Sequence, residues 1–208
     1  MAAPQLTEWP HLMKEGAADH PVLLMLHGTG SNEEDIAQLA EELDPSAAVL
    51  APRGRTQENG MMRWFARRGE GVFDVDDVIL RAGELAGFIG EAREKYGLGD
   101  RQLVAVGFSN GANIALATAM LHADAINRVI AFSGMYPFGD QTVQTALGDS
   151  RFLLLNGKAD PMAPLSSVTT LVRELRHQGA DVEQALREGG HGIGSSDLTA
   201  AFGWLKAT

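Results

Sequence analysis

The chain has 208 residues, of which 45% are hydrophobic and 21% are charged, and its formal net charge at pH 7 is −10. This length suffices for one large core and is short for two domains, so we expect a single domain over residues 1–208. The acidic charge disfavours binding to the phosphates of nucleic acids. Because the sequence contains no cysteine, disulfides, thiol catalysis and thiolate metal sites are excluded.

The start of the chain shows no targeting signal. Its first twenty residues contain charges and two prolines, and they lack an apolar stretch as long as that of a signal peptide. The first long apolar run, Val22–Leu26, is far shorter than the roughly 18 residues that a membrane-spanning helix needs. We therefore expect a cytoplasmic protein with no membrane span.

The first half of the chain alternates strand-like and helix-like segments. A capping-box pattern that begins at Ser31 predicts a first helix, whose apolar residues continue at helical spacing to Leu43. Glycine and arginine are frequent in residues 52–75, which we expect to form a loop. The other predicted elements are strands over Val22–Leu26 and Ala47–Ala51, and a long helix over Asp76–Tyr96 that buries Ile79, Ala82, Ala86 and Ile89.

The second half continues the alternation. It predicts strands over Leu103–Phe108, Val129–Phe132, Phe152–Leu155 and Val182–Leu186, and helices over Ala112–Leu121, from Leu165 towards Gly179, and around Leu198–Leu205. Such alternation is typical of the α/β class, with a mostly parallel sheet covered by helices on both faces. In these sheets the chemistry lies in loops beyond the carboxyl ends of the strands.

One such loop contains a candidate nucleophile. Gly107-Phe108-Ser109-Asn110-Gly111 follows a predicted strand directly and precedes an apolar helix. The Gly-x-Ser-x-Gly pattern allows a sharp strand-to-helix turn that lifts the serine hydroxyl out of the sheet. The motif alone is weakly specific, but the strand before it and the helix after it are the context that a nucleophilic Ser109 requires.

A serine nucleophile needs a base, and the base needs a partner that fixes its orientation. His191 lies in Gly189-Gly190-His191-Gly192, after the last predicted strand and before the last helix. Asp160 follows the strand Phe152–Leu155, and a proline comes directly after it. The order Ser, Asp, His is the order of a hydrolase triad, so we predict Ser109 as nucleophile, His191 as base and Asp160 as the orienting acid.

The tetrahedral intermediate also needs donors for its oxyanion. Asn110, directly after the nucleophile, is expected to supply one backbone N–H. The loop His27-Gly28-Thr29-Gly30 follows the first core strand, and its small residues let the backbone approach a substrate. We assign the second donor to the Thr29 N–H, and we interpret His27 as a structural residue of this loop.

These motifs together resemble those of the phospholipase/carboxylesterase family of α/β-hydrolases, which includes small bacterial carboxylesterases and acyl-protein thioesterases. The resemblance runs from about Val22 to the end of the chain. The segment with Pro52-Arg53-Gly54-Arg55, Glu58-Asn59-Gly60, Arg63-Trp64-Phe65 and Gly71-Val72-Phe73-Asp74 resembles the hydroquinone-stress-linked, MhqD-like branch. The family implies an α/β-hydrolase fold, here without a separate lid domain. The start is shorter than is usual in the family, which predicts one exposed sheet edge.

The segment 52–75 should lie across the active edge of the sheet and contribute to an acyl pocket. We expect substrate contacts from Met62, Trp64 and Phe65, joined by Met162 from a later loop, although each of these side chains could instead pack the segment onto the core. The basic cluster of Arg63, Arg67 and Arg68, with Arg53 and Arg55 nearby, is interpreted as a solvated loop face.

The predicted function is a serine carboxylesterase for short- to medium-chain esters, with a small-molecule ester as substrate and no metal or cofactor. An acyl thioesterase or lysophospholipase would use the same triad, and a noncatalytic binding module on this scaffold is a further alternative. A dinucleotide-binding protein is disfavoured because Glu33 replaces the third glycine of Gly-x-Gly-x-x-Gly. A metal enzyme is disfavoured because the histidines are scattered. Monomer and homodimer both remain open.

Overall fold

The computed structural model of the protein describes residues 6–69 and 71–207. Its strands are β1 (His11–Lys14), β2 (Val22–Leu26), β3 (Ala48–Pro52), β4 (Thr56–Glu58), β5 (Met61–Arg63), β6 (Arg67–Gly69), β7 (Val72–Phe73), β8 (Leu103–Phe108), β9 (Arg128–Phe132), β10 (Arg151–Gly157) and β11 (Asp181–Arg187). Its α-helices are α1 (Glu33–Leu43), α2 (Val75–Lys95), α3 (Asn110–Leu121), α4 (Leu165–His177) and α5 (Ser195–Lys206). None of the helices in this described part combines the length and apolar character needed to span a membrane.

A seven-stranded sheet in the order β1-β3-β2-β8-β9-β10-β11 forms the centre of the protein. All neighbouring strands run parallel except β1, which pairs antiparallel with β3. The inner strands are continuous apolar runs, and every residue of β2 and β3 is buried. Such strands suit a sheet covered on both faces, which agrees with the expected α/β architecture.

The alternation of side chains along each strand divides the core into two layers. In β2, Leu23 and Met25 pack with α1 and α5, whereas Leu24 and its alternate neighbours pack with α2 and α3. Helix α3 is buried along almost its whole length because α2 covers the side that faces away from the sheet. The sheet is therefore rigidly held, and its strand ends provide fixed positions for the loops beyond them.

Two regions differ from expectation. No element was predicted before Val22, but His11–Lys14 forms β1, which pairs with β3 and is the edge strand on that side of the sheet. Residues 52–75 were expected to be a loop, but β4 pairs with β5 and β6 pairs with β7, each antiparallel. These strands have two to four residues each, too short to give a periodic pattern.

Two helices also differ from the prediction, α1 in the residue that caps it and α2 in the residues that it buries. The N-cap of α1 is Asn32 and not Ser31, because the Asn32 side chain accepts hydrogen bonds from the N–H groups of Glu34 and Asp35. In α2, Ala82 and Ile89 are buried as predicted, whereas Ile79 is 38% exposed. The buried face of α2 instead carries Val78, Leu85, Phe88 and Ala92, which pack against α3 and the sheet.

Candidate active site

Ser109 lies at the sharp turn between β8 and α3, with φ of 54° and ψ of −116°. A positive φ is unusual for serine and indicates local strain. The two glycines of the motif allow the turn because the chain passes very close to its neighbours. A Cβ on Gly111 would lie 2.0 Å from the Leu26 carbonyl oxygen, and a Cβ on Gly107 would lie 2.5 Å from the Gly111 carbonyl carbon. Glycine is therefore required at both positions of the turn between β8 and α3, which lies against the end of β2.

The structure brings together the three side chains that the sequence nominated. His191 Nδ1 lies 2.8 Å from Asp160 Oδ2, and His191 Nε2 lies 2.9 Å from Ser109 Oγ. Since an ionised carboxylate only accepts hydrogen bonds, Nδ1–H donates to Asp160 and leaves Nε2 to accept from the Ser109 hydroxyl. In this arrangement the imidazole can take the serine proton while Asp160 stabilises the resulting charge.

The Asp160 carboxylate is held by the backbone of its own turn. Asp160 is 4% exposed, and its Oδ1 accepts hydrogen bonds from the N–H groups of Met162 at 2.9 Å and Ala163 at 3.1 Å. With Oδ1 bound in this way, Oδ2 is directed at His191. The turn after β10 therefore fixes which oxygen meets the imidazole.

The loop of His191 is held by an arginine that the sequence reasoning missed. Arg187 Nη2 donates to the carbonyl oxygens of Gly190 at 2.8 Å and Gly192 at 2.6 Å, on either side of the histidine. Its Nε donates to Asp197 Oδ2 at 2.7 Å, and Asp197 is 2% exposed. The available signal was an arginine at the end of the last strand followed by an acidic residue in the first turn of α5.

The two predicted oxyanion donors lie at the same edge of the sheet. Thr29 lines the cavity beside Ser109, and its N–H makes no hydrogen bond to any residue in the described part of the chain. Asn110 is the first residue of α3, where backbone N–H groups have no partner within the helix. The Gly30 N–H donates to the Met62 carbonyl oxygen at 2.9 Å, which fixes the loop that carries Thr29.

His27 is a buried structural residue, in agreement with its interpretation from the sequence. It is 0% exposed. Its Nδ1–H donates to the Gly28 carbonyl oxygen at 2.7 Å, and its Nε2 accepts from the Gly54 N–H at 2.9 Å. Burial lowers the pKa of His27 from its ordinary value of 6.5, so the ring is neutral in the folded protein.

A cavity of about 640 Å³ opens beside Ser109. Met162 lines it, as predicted, and is 45% exposed. Its other apolar lining residues include Val72, Phe73, Met135 and Tyr136. Among residues 6–69 and 71–207, no group of three His, Asp or Glu side chains is arranged to hold a metal ion.

Three side chains expected at the cavity do not line it. Trp64 is 2% exposed, Phe65 is 0% exposed, and both pack in the core, while Met62 contributes its carbonyl oxygen to the Gly30 N–H. Trp64 Nε1 donates to the His27 carbonyl oxygen at 2.9 Å, and the Trp64 N–H donates to Asn110 Oδ1 at 2.7 Å. The prediction that Met62, Trp64 and Phe65 contact the substrate is therefore corrected. The two aromatic side chains are buried instead, and their burial anchors the two hairpins to the body of the protein.

The arginine cluster of this segment is not a uniformly solvated face. Arg63 is 4% exposed, and Arg63 and Arg67 both line the cavity. Both guanidinium groups contact the same carboxylate, that of Glu58. The other arginines of the cluster each pair with a different carboxylate, as Arg53 with Glu33, Arg55 with Glu84, and Arg68 with Asp74.

Comparison with known proteins agrees with the fold and with the motifs. The sequence profile of the Phospholipase/Carboxylesterase family matches residues 8–208. The chain is 38% identical to the putative hydrolase MhqD of Bacillus subtilis (strain 168), over 94% of this chain and 97% of that protein. It is 27% identical to the esterase YpfH of Escherichia coli (strain K12), over 90% of this chain and 82% of that one.

A solved structure gives the same result. The Bacillus cereus carboxylesterase superposes on this chain with a TM-score of 0.91 at 34% sequence identity, covering 96% of this chain and 94% of that one. The resemblance inferred from the motifs is thereby confirmed, as is the α/β-hydrolase fold. This chain belongs to the phospholipase/carboxylesterase family of α/β-hydrolases.

Proposed function

We propose that the protein is a serine carboxylesterase that hydrolyses short- to medium-chain carboxylic esters through an acyl-enzyme intermediate. The observation that carries the proposal is the continuous hydrogen-bonded chain from Asp160 through His191 to Ser109, which ends at the cavity. The hydrolases and esterases among its relatives support the same reaction class.

In the acylation step, Ser109 Oγ attacks the ester carbonyl carbon while His191 Nε2 takes the hydroxyl proton. Asp160 stabilises the imidazolium that forms. The carbonyl oxygen becomes an oxyanion, to which the N–H groups of Thr29 and Asn110 donate; both residues line the cavity beside Ser109, which supports this role. These donors belong to a fixed loop and a helix start, so little reorganisation is needed when the charge develops.

The breakdown of the intermediate completes the reaction. His191 gives its proton to the leaving alkoxide oxygen, the C–O bond breaks, and the acyl group remains on Ser109. A water molecule then gives a proton to His191 Nε2 as it attacks the acyl carbon. The second tetrahedral intermediate collapses to a carboxylic acid, and the proton returns from His191 to Ser109 Oγ.

The size and lining of the cavity support a small ester. Its volume of about 640 Å³ lies within the range of roughly 300–1,000 Å³ that is typical of small-molecule sites. Val72, Phe73, Met135 and Met162 provide apolar surface for an acyl or alkyl chain. We expect the rate to be highest for short and medium acyl chains.

The test is hydrolysis of p-nitrophenyl esters from C2 to C16, with matching acyl thioesters, by the wild type and by Ser109→Ala. We expect hydrolysis that Ser109→Ala abolishes, an optimum at short or medium chains, and labelling of Ser109 by a fluorophosphonate. Ser196→Ala is the matched control, because this serine is exposed on α5 and should leave the rate unchanged.

Other outcomes select other functions. Faster cleavage of thioesters than of the matching esters would identify an acyl thioesterase. A rate that rises steadily through the longest chains would contradict the expected chain-length range. Equal, negligible rates for the wild type and Ser109→Ala on every substrate, without labelling, would overturn the esterase proposal in favour of a binding module.

A further inference from the structure

The wall of the cavity contains one more positive than negative charge at the place where Arg63 and Arg67 meet. Glu58 Oε2 lies 3.1 Å from Arg63 Nη1, and Glu58 Oε1 lies 3.0 Å from Arg67 Nε. A single carboxylate is thus shared by two guanidinium groups. Both arginines line the cavity that contains Ser109, in a chain whose net charge is −10.

Arg63 is the more unusual of the two because it is buried. Among the described residues, its guanidinium contacts Glu58 and donates from Nε to the Phe65 carbonyl oxygen at 3.3 Å. A guanidinium carries five N–H donors, and a buried charge is costly unless it is paired. Burial, and then the adjacent charge of Arg67, lower the pKa of Arg63 from its usual value. A second anion in the cavity would offset both the cost of burying the Arg63 charge and the repulsion between Arg63 and Arg67.

The side-chain amide nitrogen of Asn110, the residue after Ser109, is also without a partner in the described part of the chain. Asn110 is 4% exposed and lines the cavity, and its Nδ2 is buried with no hydrogen-bond partner among the residues that the structure describes. Its orientation is fixed because Oδ1 accepts the N–H of Trp64, the residue after Arg63. Buried donors are almost always paired, so this amide nitrogen is a further unsatisfied polar group on a residue that lines the cavity.

The acidic residues near the cavity do not fully neutralise Arg63 and Arg67. Glu58 is already engaged by both arginines. Asp140 also lines the cavity, but it is exposed, and solvent screens its charge. Electrostatic attraction is strongest in the low-dielectric environment where Arg63 lies. Arg63 and Arg67 therefore keep a positive charge that Glu58 alone does not neutralise, and an anionic group of a ligand would neutralise it.

We infer that the substrate of this site is an ester that carries a carboxylate group, which Arg63 and Arg67 bind while Ser109 attacks the ester carbonyl. The inference rests on the proposed function and narrows it to half-esters of dicarboxylic acids and similar carboxylate-bearing esters. The carboxylate takes no part in bond making or breaking. It fixes the position of the ester, and planar guanidinium groups suit it because they can bind both of its oxygens.

The experiment compares two esters of the same shape. Monoethyl glutarate carries the carboxylate on its acyl side, and the ethyl ester with a carboxamide in that position is its neutral counterpart. We expect kcat/KM of the wild type to be at least about tenfold higher for the charged ester, and Arg67→Gln to remove about tenfold of that preference. Arg68→Gln is the matched control, because Arg68 pairs with Asp74 and should not change the preference.

A second pair of substrates places the carboxylate on the alcohol side, as butyrate esters of 4-hydroxybenzoate and 4-hydroxybenzamide. A preference for the charged ester in either pair, lost in Arg67→Gln, supports the inference and locates the carboxylate. Thermal melting checks that Arg67→Gln folds. Arg67→Lys keeps the charge without the planar fork, and we expect it to retain part of the preference.

The failure of this inference and the failure of the proposed function give different results. If the wild type cleaves the neutral esters through Ser109 but shows no preference for the charged partner in either pair, the inference is overturned and the esterase function stands. If neither neutral nor charged esters are cleaved by the wild type above the level of Ser109→Ala, both proposals fail together.

Discussion

Two regions form the candidate site, and they are held in different ways. The loops beyond β8, β10 and β11 carry Ser109, Asp160 and His191, and each loop is fixed directly to a strand of the central sheet. The hairpin segment, which comprises residues 53–69 and 71–73, lies outside that sheet. Its contacts with the body of the protein include those of Trp64 with the His27 carbonyl oxygen and with Asn110.

This difference indicates that the two regions have different roles, one in the chemical step and one in substrate binding. In the proposed mechanism the strand-end loops carry the groups that make and break bonds, and the hairpin segment contributes Arg63, Arg67 and Phe73 to the cavity wall. Changes in the loops should therefore lower kcat, whereas changes in the hairpin segment should act mainly on KM and on the choice of substrate. Three predictions test this separation, beginning with the largest effect, and a fourth concerns His27, which contacts the hairpin segment through Gly54 and Trp64.

The largest effect is expected at the nucleophile. Both Ser109→Ala and Ser109→Gly should lower kcat by at least about 10⁴-fold, because no other group replaces the hydroxyl. The two variants should differ in stability, since φ at this position is 54°. Glycine removes the strain, so Ser109→Gly should be more stable than Ser109→Ala by about 1 kcal/mol in chemical denaturation. Equal stabilities would show that the turn is not strained.

Arg187→Met tests whether the histidine loop needs its own support. The variant leaves the buried carboxylate of Asp197 without its cation, which should cost about 3 kcal/mol of stability. It also releases the carbonyl oxygens of Gly190 and Gly192, so kcat should fall by about 10- to 100-fold with little change in KM.

Arg151→Met is the matched control for Arg187→Met. Arg151 pairs with the exposed carboxylates of Asp181 and Glu183, and surface pairs of this kind contribute at most about 1 kcal/mol. Its kcat should equal that of the wild type. A loss of stability in Arg187→Met without any loss of kcat would limit Arg187 to a structural role.

Trp64→Phe tests the attachment of the hairpin segment. The variant removes the indole N–H that donates to the His27 carbonyl oxygen, and it leaves a small void in the core. We expect a loss of about 2–4 kcal/mol in stability and a several-fold rise in KM that exceeds any fall in kcat. Trp204→Phe is the control, because Trp204 is also a buried tryptophan but packs in the core layer of α1 and α5, away from the hairpin segment, and this variant should lower stability without raising KM.

A fall in kcat of Trp64→Phe at constant KM would contradict the proposal that the hairpin segment acts mainly on KM. It would mean that the hairpin segment supports the nucleophile through Asn110, and not only the wall of the cavity.

The smallest effect concerns pH. Burial lowers the pKa of His27 in the folded state below its ordinary value of 6.5, so the folded protein keeps this ring neutral while the unfolded chain takes up a proton near that pH. The contribution of His27 to stability is complete above 6.5 and is lost progressively as pH falls from there towards the lowered pKa. The melting temperature should therefore fall more steeply between about pH 7 and pH 5 in the wild type than in His27→Gln.

His20 provides a control of opposite sign. Its hydrogen bond with Asp44 raises the pKa of His20 above 6.5, so its contribution is complete below that pH and is lost as pH rises through the raised value. His20→Gln should thus lower stability more at acidic than at neutral pH. A wild type and a His27→Gln variant with parallel melting profiles would contradict the requirement for a neutral His27.

The parts of the site that the sequence predicted are those whose positions depend on neighbouring residues or on the order of strands and helices. Ser109 lies in a motif whose glycines are required because the backbone passes within a few ångströms of its neighbours. The order of strands and helices places Asp160 after β10 and His191 after β11. The family resemblance pointed to the same residues. Their geometry follows from the parallel sheet, because the carboxyl ends of its strands lie at one edge.

The parts that the sequence did not predict depend on distant partners. Trp64 was expected at the cavity, yet its position is set by His27 and Asn110, which are far away along the chain. Nothing near Arg63 in the sequence indicates that it is buried while Arg68 is exposed. Strand β1 likewise depends on its pairing with β3, and four residues are too few to reveal a period.

The contact between Ser109 Oγ and His191 Nε2 also has a practical consequence, because the sequence contains no cysteine. Ser109→Cys would introduce the sole thiol of the chain, and that thiol would lie against an imidazole that can accept its proton. An alkylating dye would then attach at one position, on the wall of the cavity. The labelled protein would be an optical sensor, and its fluorescence would report which small molecules occupy the cavity without any need for turnover.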